Sequence, residues 1–318
     1  MKKKVLYLIT GLLLLSLSAC NNADEGAQTA EQSEGLVPIT LQTAVVDLST
    51  RAGQSIQNTL FDKNEEINVY INEIIPPEGE AGASYSSKYE YKVSDNAGSL
   101  KPMSLSSPYY PLNANHVAIT AVYPKKVTNS LAQDFSVESD QRQTREYKLS
   151  DLMYSDNLND VEKQTGAVTL EFHHLLCKVN VNLEMYHAEN VAPNNAPLEG
   201  SRIYLKDVLR TVSFNGKTGQ ISEATNSGDI YVSSNGRYAA SAIIVPQDIP
   251  SRNFIRIEMA TNKDVMNYTL PAPVKFEAGK AYTFNIMVKQ DAVIVGDYTI
   301  QDWDDTPAVQ NKNGQFVN

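Results

Sequence analysis

From residue 36 onward the apolar positions recur at every second residue. In EINVYINEI (66–74), Ile67, Val69 and Ile71 alternate with Asn68, Tyr70 and Asn72. Successive side chains of a strand point to opposite faces, so this period marks half-buried β-structure. The same alternation predicts strands over 38–46, 87–93, 117–123, 168–172, 178–184, 202–208, 238–245, 254–260, 281–289 and 292–300. Few stretches carry a helical period, and the chain is expected to be all-β. Pro- and Gly-containing clusters at 75–82, 107–115 and 192–200 punctuate the pattern. Strands spaced in this way, with long irregular connections, predict β-sandwiches, and the length accommodates two.

One stretch breaks the rhythm. In TLEFHHLLCKVNVNL (169–183) the apolar side chains sit at Leu170 and Phe172, then at Leu175, Cys177, Val179, Val181 and Leu183. The core face changes parity, which requires a bulge or a crossing between sheets near His173 and His174. Adjacent strand residues face opposite ways, so these two histidines are poorly placed to share a metal, and no nearby carboxylate or cysteine pair completes a ligand set. Cys177 falls in the apolar row, where a free thiol acts as a small hydrophobe. The group is therefore read as packing at a corner.

The chain opens with three lysines and a 13-residue apolar run, Val5 to Leu17. That run is too short to span a bilayer, which takes about 20 helical residues, and residues 1–19 are read as a signal peptide. It ends in Leu17-Ser18-Ala19-Cys20, which resembles the bacterial lipobox. The resemblance implies cleavage before Cys20 and lipid attachment to its thiol, giving an anchor that multiple acyl chains make effectively permanent. Residues 20–35 hold no large apolar side chain and read as a solvated tether. Its Asp24 and Glu25 resemble the acidic export tag of surface lipoproteins in some Gram-negative bacteria.

Loss of residues 1–19 lowers the basic count from 27 to 24 against 37 acids, a net charge of −13. Such a surface repels nucleic acid and anionic membrane, and neither is expected as a partner. Cys20 and Cys177 are the only cysteines, so a lipidated Cys20 leaves no disulfide and the fold must rest on core burial. No GxSxG, HExxH, GxxxxGK[ST] or GxGxxG occurs. The acids Asp302, Asp304 and Asp305 lack the spacing of a calcium loop and read as a solvated turn, while Trp303 between them reads as a sandwich anchor. No catalytic residue, metal or cofactor is expected.

Several segments taken together resemble the fimbrillins, lipoprotein subunits of type V pili: 107–124, 170–183, FNGKTGQI (214–221), SAIIVPQ (241–247), 268–288 and VIVGDYTIQDWDD (293–305). They occur in the family's order across most of the mature chain. The resemblance implies two consecutive transthyretin-like Greek-key β-sandwich domains, placed here at 36–170 and 171–318. It also implies a pilus subunit or adhesin, delivered to the outer-membrane surface as a lipoprotein and joined to other fimbrillin subunits in a fimbrium. In that family a protease cuts after an arginine near the first strand, and a strand from another subunit's C-terminal region fills the vacated groove. Arg51, in DLSTRAGQS, follows the first strand candidate and is the expected proteolytic processing site. The expected donor lies within 281–303, where Tyr282, Phe284, Ile286 and Val288 form one apolar row. The other reading is a non-polymerising surface lipoprotein that binds carbohydrate or a host ligand, through Trp303 or the tyrosines of 84–93.

Overall fold

The computed structural model describes residues 36–45, 61–74, 86–105, 107–112, 116–234, 238–261, 263–289 and 293–303. Its strands are, in chain order, β1 (Leu41–Val45), β2 (Glu66–Ile74), β3 (Ser86–Val93), β4 (Leu100–Pro102), β5 (His116–Tyr123), β6 (Gln133–Ser136), β7 (Met153–Glu162), β8 (Val168–His174), β9 (Cys177–Met185) and β10 (Arg202–Asn215). There follow β11 (Gln220–Ile221), β12 (Thr225–Tyr231), β13 (Ser233–Ser234), β14 (Ala239–Ile244), β15 (Gln247–Ile249), β16 (Asn253–Glu258), β17 (Val265–Thr269), β18 (Val274–Phe276), β19 (Lys280–Val288) and β20 (Val293–Asp302). The one α-helix among the described residues is the short α1 (Thr144–Leu149). The all-β expectation holds, and each strand read from period-two alternation is present.

The first sheet has the order β1-β8-β7-β5-β2-β3-β4. β1 joins it parallel to β8, from Leu41 opposite Val168 to Val45 opposite Phe172, whereas the other pairings in this sheet are antiparallel. The sheet curls until β1 also meets its far end: Thr43 N–H donates to Gly98 O at 2.8 Å and Ile39 N–H to Pro108 O at 2.9 Å. Inside lies a core in which Phe61 sits edge-on to Phe172 at 4.9 Å and tilted to Tyr123 at 5.1 Å.

A six-stranded sheet built on β10 and a five-stranded sheet, β13-β14-β9-β19-β20, enclose a second core. The two face each other directly, with the rings of Phe254 on β16 and Phe284 on β19 5.5 Å apart. Membership of the second core does not follow the order of the chain. Val127, Phe135, Val137, Tyr147 and Leu152 precede β7 and β8 yet belong to it, and β6 pairs with β10. β2 is consequently buried on both faces from Ile67 to Ile71. Its Asn68 lies wholly inside, where alternation alone would have placed it in solvent; its Nδ2 donates to Lys125 O and Val127 O, which satisfies the buried NH2 group.

Candidate functional site

The chain changes sheet at the parity break. β8 ends at His174 in the first sheet, and β9 begins at Cys177 in the five-stranded one. His173 packs edge-on to Tyr154, while His174 is buried and its Nδ1 lies 2.9 Å from Asp151 Oδ1. Sequence proximity gave no sign of this carboxylate, because Asp151 lies 23 residues upstream. One carboxylate does not make a metal site, and among the described residues no group of three His, Cys, Asp or Glu could hold an ion. Cys177 Sγ donates to Glu277 O at 3.0 Å, and burial pushes its thiol pKa well up, with the Glu277 charge adding to the effect. The corner is packing and hydrogen bonding, as its alternation implied.

Of the residues considered for ligand stacking, Tyr85 lies outside the described residues, and the others are wholly or partly packed. Trp303 is 2% exposed and stacks on His174. Its backbone N–H donates to Gly279 O at 3.0 Å, so it anchors the end of β20. Tyr91 is buried in the first core, where desolvation drives its hydroxyl pKa far up, and Tyr89 is half-buried against the same core. Asp302 pairs with Lys280. Asp304 and Asp305 lie outside the described residues. A cavity of about 220 Å³ opens beside Tyr231, whose ring stacks with Tyr204 at 4.5 Å and lies 4.2 Å from the Arg142 guanidinium. That guanidinium is itself held by Asp140.

The features that stand out are the first and last strands among the described residues. β1 buries Leu41, Thr43 and Val45 and leaves Gln42 and Ala44 half-covered, and residues 46–60 separate it from the next described residue. Cys20 and Arg51 lie outside the described residues. At the other end β20 forms the edge of the five-stranded sheet, paired on one side only, with β19. Ile300 on this strand is 53% exposed, while Tyr298 is partly buried against the second core.

The expected donor segment 281–303 holds two strands, and the first of them, β19, is central in its sheet. It pairs in parallel with β9 from Ala281 to Val288 and antiparallel with β20 on its other side, and Tyr282, Phe284, Ile286 and Val288 are at most 1% exposed. Both of its backbone edges are used, and its removal would split the sheet. Period-two alternation cannot separate a central strand from an edge strand, because it reports faces and not neighbours.

The fimbrillin-like family model matches residues 50–303. The chain belongs to the fimbrillin-like family. Among solved structures, this fimbrillin-like chain is similar to a candidate cell adhesion protein of Bacteroides ovatus, at 19% identity and a TM-score of 0.63, covering 84% of this chain and 98% of that one. A second candidate cell adhesion protein, from Bacteroides uniformis, aligns with 16% identity and a TM-score of 0.62 over 85% and 99% of the two chains. The tip fimbrial protein Mfa3 of Porphyromonas gingivalis, truncated at its C-terminus, aligns at 9% identity with a TM-score of 0.48 over 84% and 100%. At these identities the likeness to the two Bacteroides proteins is one of fold. No curated protein sequence matches. The family is one of structural proteins of cell-surface appendages, not of enzymes. Among the described residues no helix is long and apolar enough to cross a membrane.

Proposed function

We propose that this fimbrillin-like chain is a pilus subunit or pilus-associated adhesin, exported as a lipoprotein through Cys20 and assembled by strand exchange. In this reading the two hydrophobic clusters are the cores of two transthyretin-like sandwich domains. A cut after Arg51 separates β1 from the rest of the chain. β1 then withdraws, and the edge strand of a neighbouring subunit takes its place beside β8. The donor is β20 with the residues after it.

The observation that carries the reading is the placement of β1. It is the first strand among the described residues, joined to its neighbours by backbone ladder bonds and alternate side chains, which is the chemistry a foreign strand would have to reproduce. Burial of Ile39, Leu41 and Val45 contributes about 5–9 kcal/mol, at about 1.5–3 each. A whole domain is stable by about 5–15 kcal/mol. A vacant groove is therefore unstable, and a refilled one long-lived.

N-terminal sequencing of material recovered from the cell surface tests the cut, and electron microscopy of the same material tests assembly. A start at Ala52 in polymer supports the reading. A trimmed chain that stays a monomer with β1 still bound defeats it. Labelling with a radioactive fatty acid, lost in a Cys20→Ala variant, tests the lipid separately.

A further inference from the structure

β8 has an unusual neighbour on the side away from β1. The ladder between β7 and β8 comprises two residue pairs, Met153 with His174 and Tyr154 with His173. It then stops, although β8 continues back to Val168. The cause lies in β7, whose pairing with β5 shifts register twice, between Ile119 and Ala121 and again between Val117 and Ile119. Each shift places an extra residue in β7, and such bulges bend the strand that carries them.

Val168 N–H donates to Thr40 O on the β1 side. Strand alternation therefore turns the backbone groups of Thr169 and Glu171 toward β7. The side chain of Asn157 meets them there. Its Nδ2 donates to Thr169 O at 2.9 Å, and its Oδ1 accepts from Glu171 N–H at 2.9 Å. These two bonds flank Leu170, as those from one residue of a parallel neighbouring strand would. Ser155 Oγ donates to the same Oδ1 at 3.0 Å, which fixes which end of the amide faces which group.

We propose that Asn157 is a register clasp, a side chain standing in for the interrupted ladder and holding β8 in place while the β1 position is vacant. With β1 bound, β8 has a full parallel partner and the clasp is one support among many. Without β1, the Asn157 amide is the one side-chain clasp on the backbone edge of Val168 to Phe172 among the described residues. A slip of β8 by one residue would turn Leu170 and Phe172 out of the core and Thr169 and Glu171 into it. The clasp thus sets the register in which an incoming strand is read. It is a positioning residue, and its role in exchange rests on the function proposed above.

The test uses the full mature chain, uncut and after cutting at Arg51 with an arginine-specific protease, as wild type, Asn157→Ala and Asn157→Asp. In the uncut protein, amide exchange at Glu171 should quicken about threefold to tenfold in N157A. N157D keeps the acceptor oxygen and should leave that amide protected. Exchange at Val69 and Ile119 should not change in either variant. The cut protein is then challenged with a labelled peptide of residues 36–51. N157A should take up about threefold to tenfold less label, although the uncut N157A melts close to wild type; a residue that merely stabilised the fold would lower both alike. Glu171 exchange equal in wild type and N157A overturns the clasp, and so does equal peptide uptake. Uptake of the 36–51 peptide that falls in N157A, with none of a β20 peptide by any form, supports the clasp and defeats β20 as the donor.

Discussion

His174 lies flat against Trp303, with ring centroids 4.0 Å apart and planes 7° from parallel. The contact joins the last residue of the first sheet's β8 to the residue that follows β20. Asp151 fixes the imidazole from the other direction, and the Lys178 ammonium stands 5.9 Å from the indole centroid. The edge strand β20 is thus fastened at its C-terminal end.

Replacing Trp303 by Ala should cost about 3–5 kcal/mol by opening a cavity at this junction. Amide exchange should rise first along β20, before β9 or β14 respond. Because Trp303 is the sole tryptophan, its fluorescence reports this one contact. The emission of the wild type should shift to the red in any state from which β20 has detached. Uniform loosening of the whole sheet in W303A would show that the stack is not a local fastening.

Cys177 should be inert while the chain is folded. Its thiol pKa is raised, so the thiolate remains scarce even at mildly alkaline pH, and its burial excludes reagent. A thiol reagent at pH 8.5 should modify it only as fast as the protein opens, and at once in denaturant. Cys177→Ala should lower stability by about 1 kcal/mol and leave assembly intact. Rapid labelling of the native protein would contradict this placement.

The turn at FNGKTGQI gives a sharper case. Gly219 has φ +70°, and a Cβ built there would lie 2.4 Å from the Tyr154 ring. Tyr154 cannot retreat freely: it is 1% exposed, packs against Phe214 and donates from its hydroxyl to Lys217 O. Gly219→Ala therefore combines backbone strain with a clash and should cost well over 1 kcal/mol, read as a lowered denaturation midpoint with an unchanged slope. Gly166 meets no atom closer than 4.0 Å and serves as the control.

What the sequence made legible, and what it hid, follows from the physics of alternation. The parity change between Phe172 and Leu175 was visible because both flanking strands are regular, and it located the sheet crossing correctly. β7 was invisible because its two bulges put Ser155, Asp156 and Asn157 where a regular strand would alternate. The clasp formed by Asn157 was hidden with it. β12 (TNSGDIY) was missed because an exposed edge strand needs little apolar content, and its one buried side chain is Ile230. The Asp151 partner of His174 arises from tertiary proximity, which a local pattern does not carry.

The same limit left β19 and β20 undistinguished within the expected donor segment 281–303, and it yields the most discriminating experiment. Phe284 is fully buried at the centre of the second core, touching Phe254, Tyr268 and Tyr298, and Ile286 is 1% exposed. Phe284→Asp or Ile286→Asp buries an unpaired carboxylate and should prevent folding, which makes these variants uninformative about assembly. Ile300 is half-exposed on the edge strand, directly opposite Tyr282. Ile300→Asp should leave the monomer folded, with a stability change of about 1 kcal/mol or less. If β20 is donated, the same substitution introduces a charge into the row that must fill the β1 groove, and polymer yield should fall steeply. Circular dichroism of the monomer and electron microscopy of the assembled material read the two effects independently. A folded I300D monomer that polymerises as well as wild type would falsify β20 as the donor and move attention to the residues after Trp303.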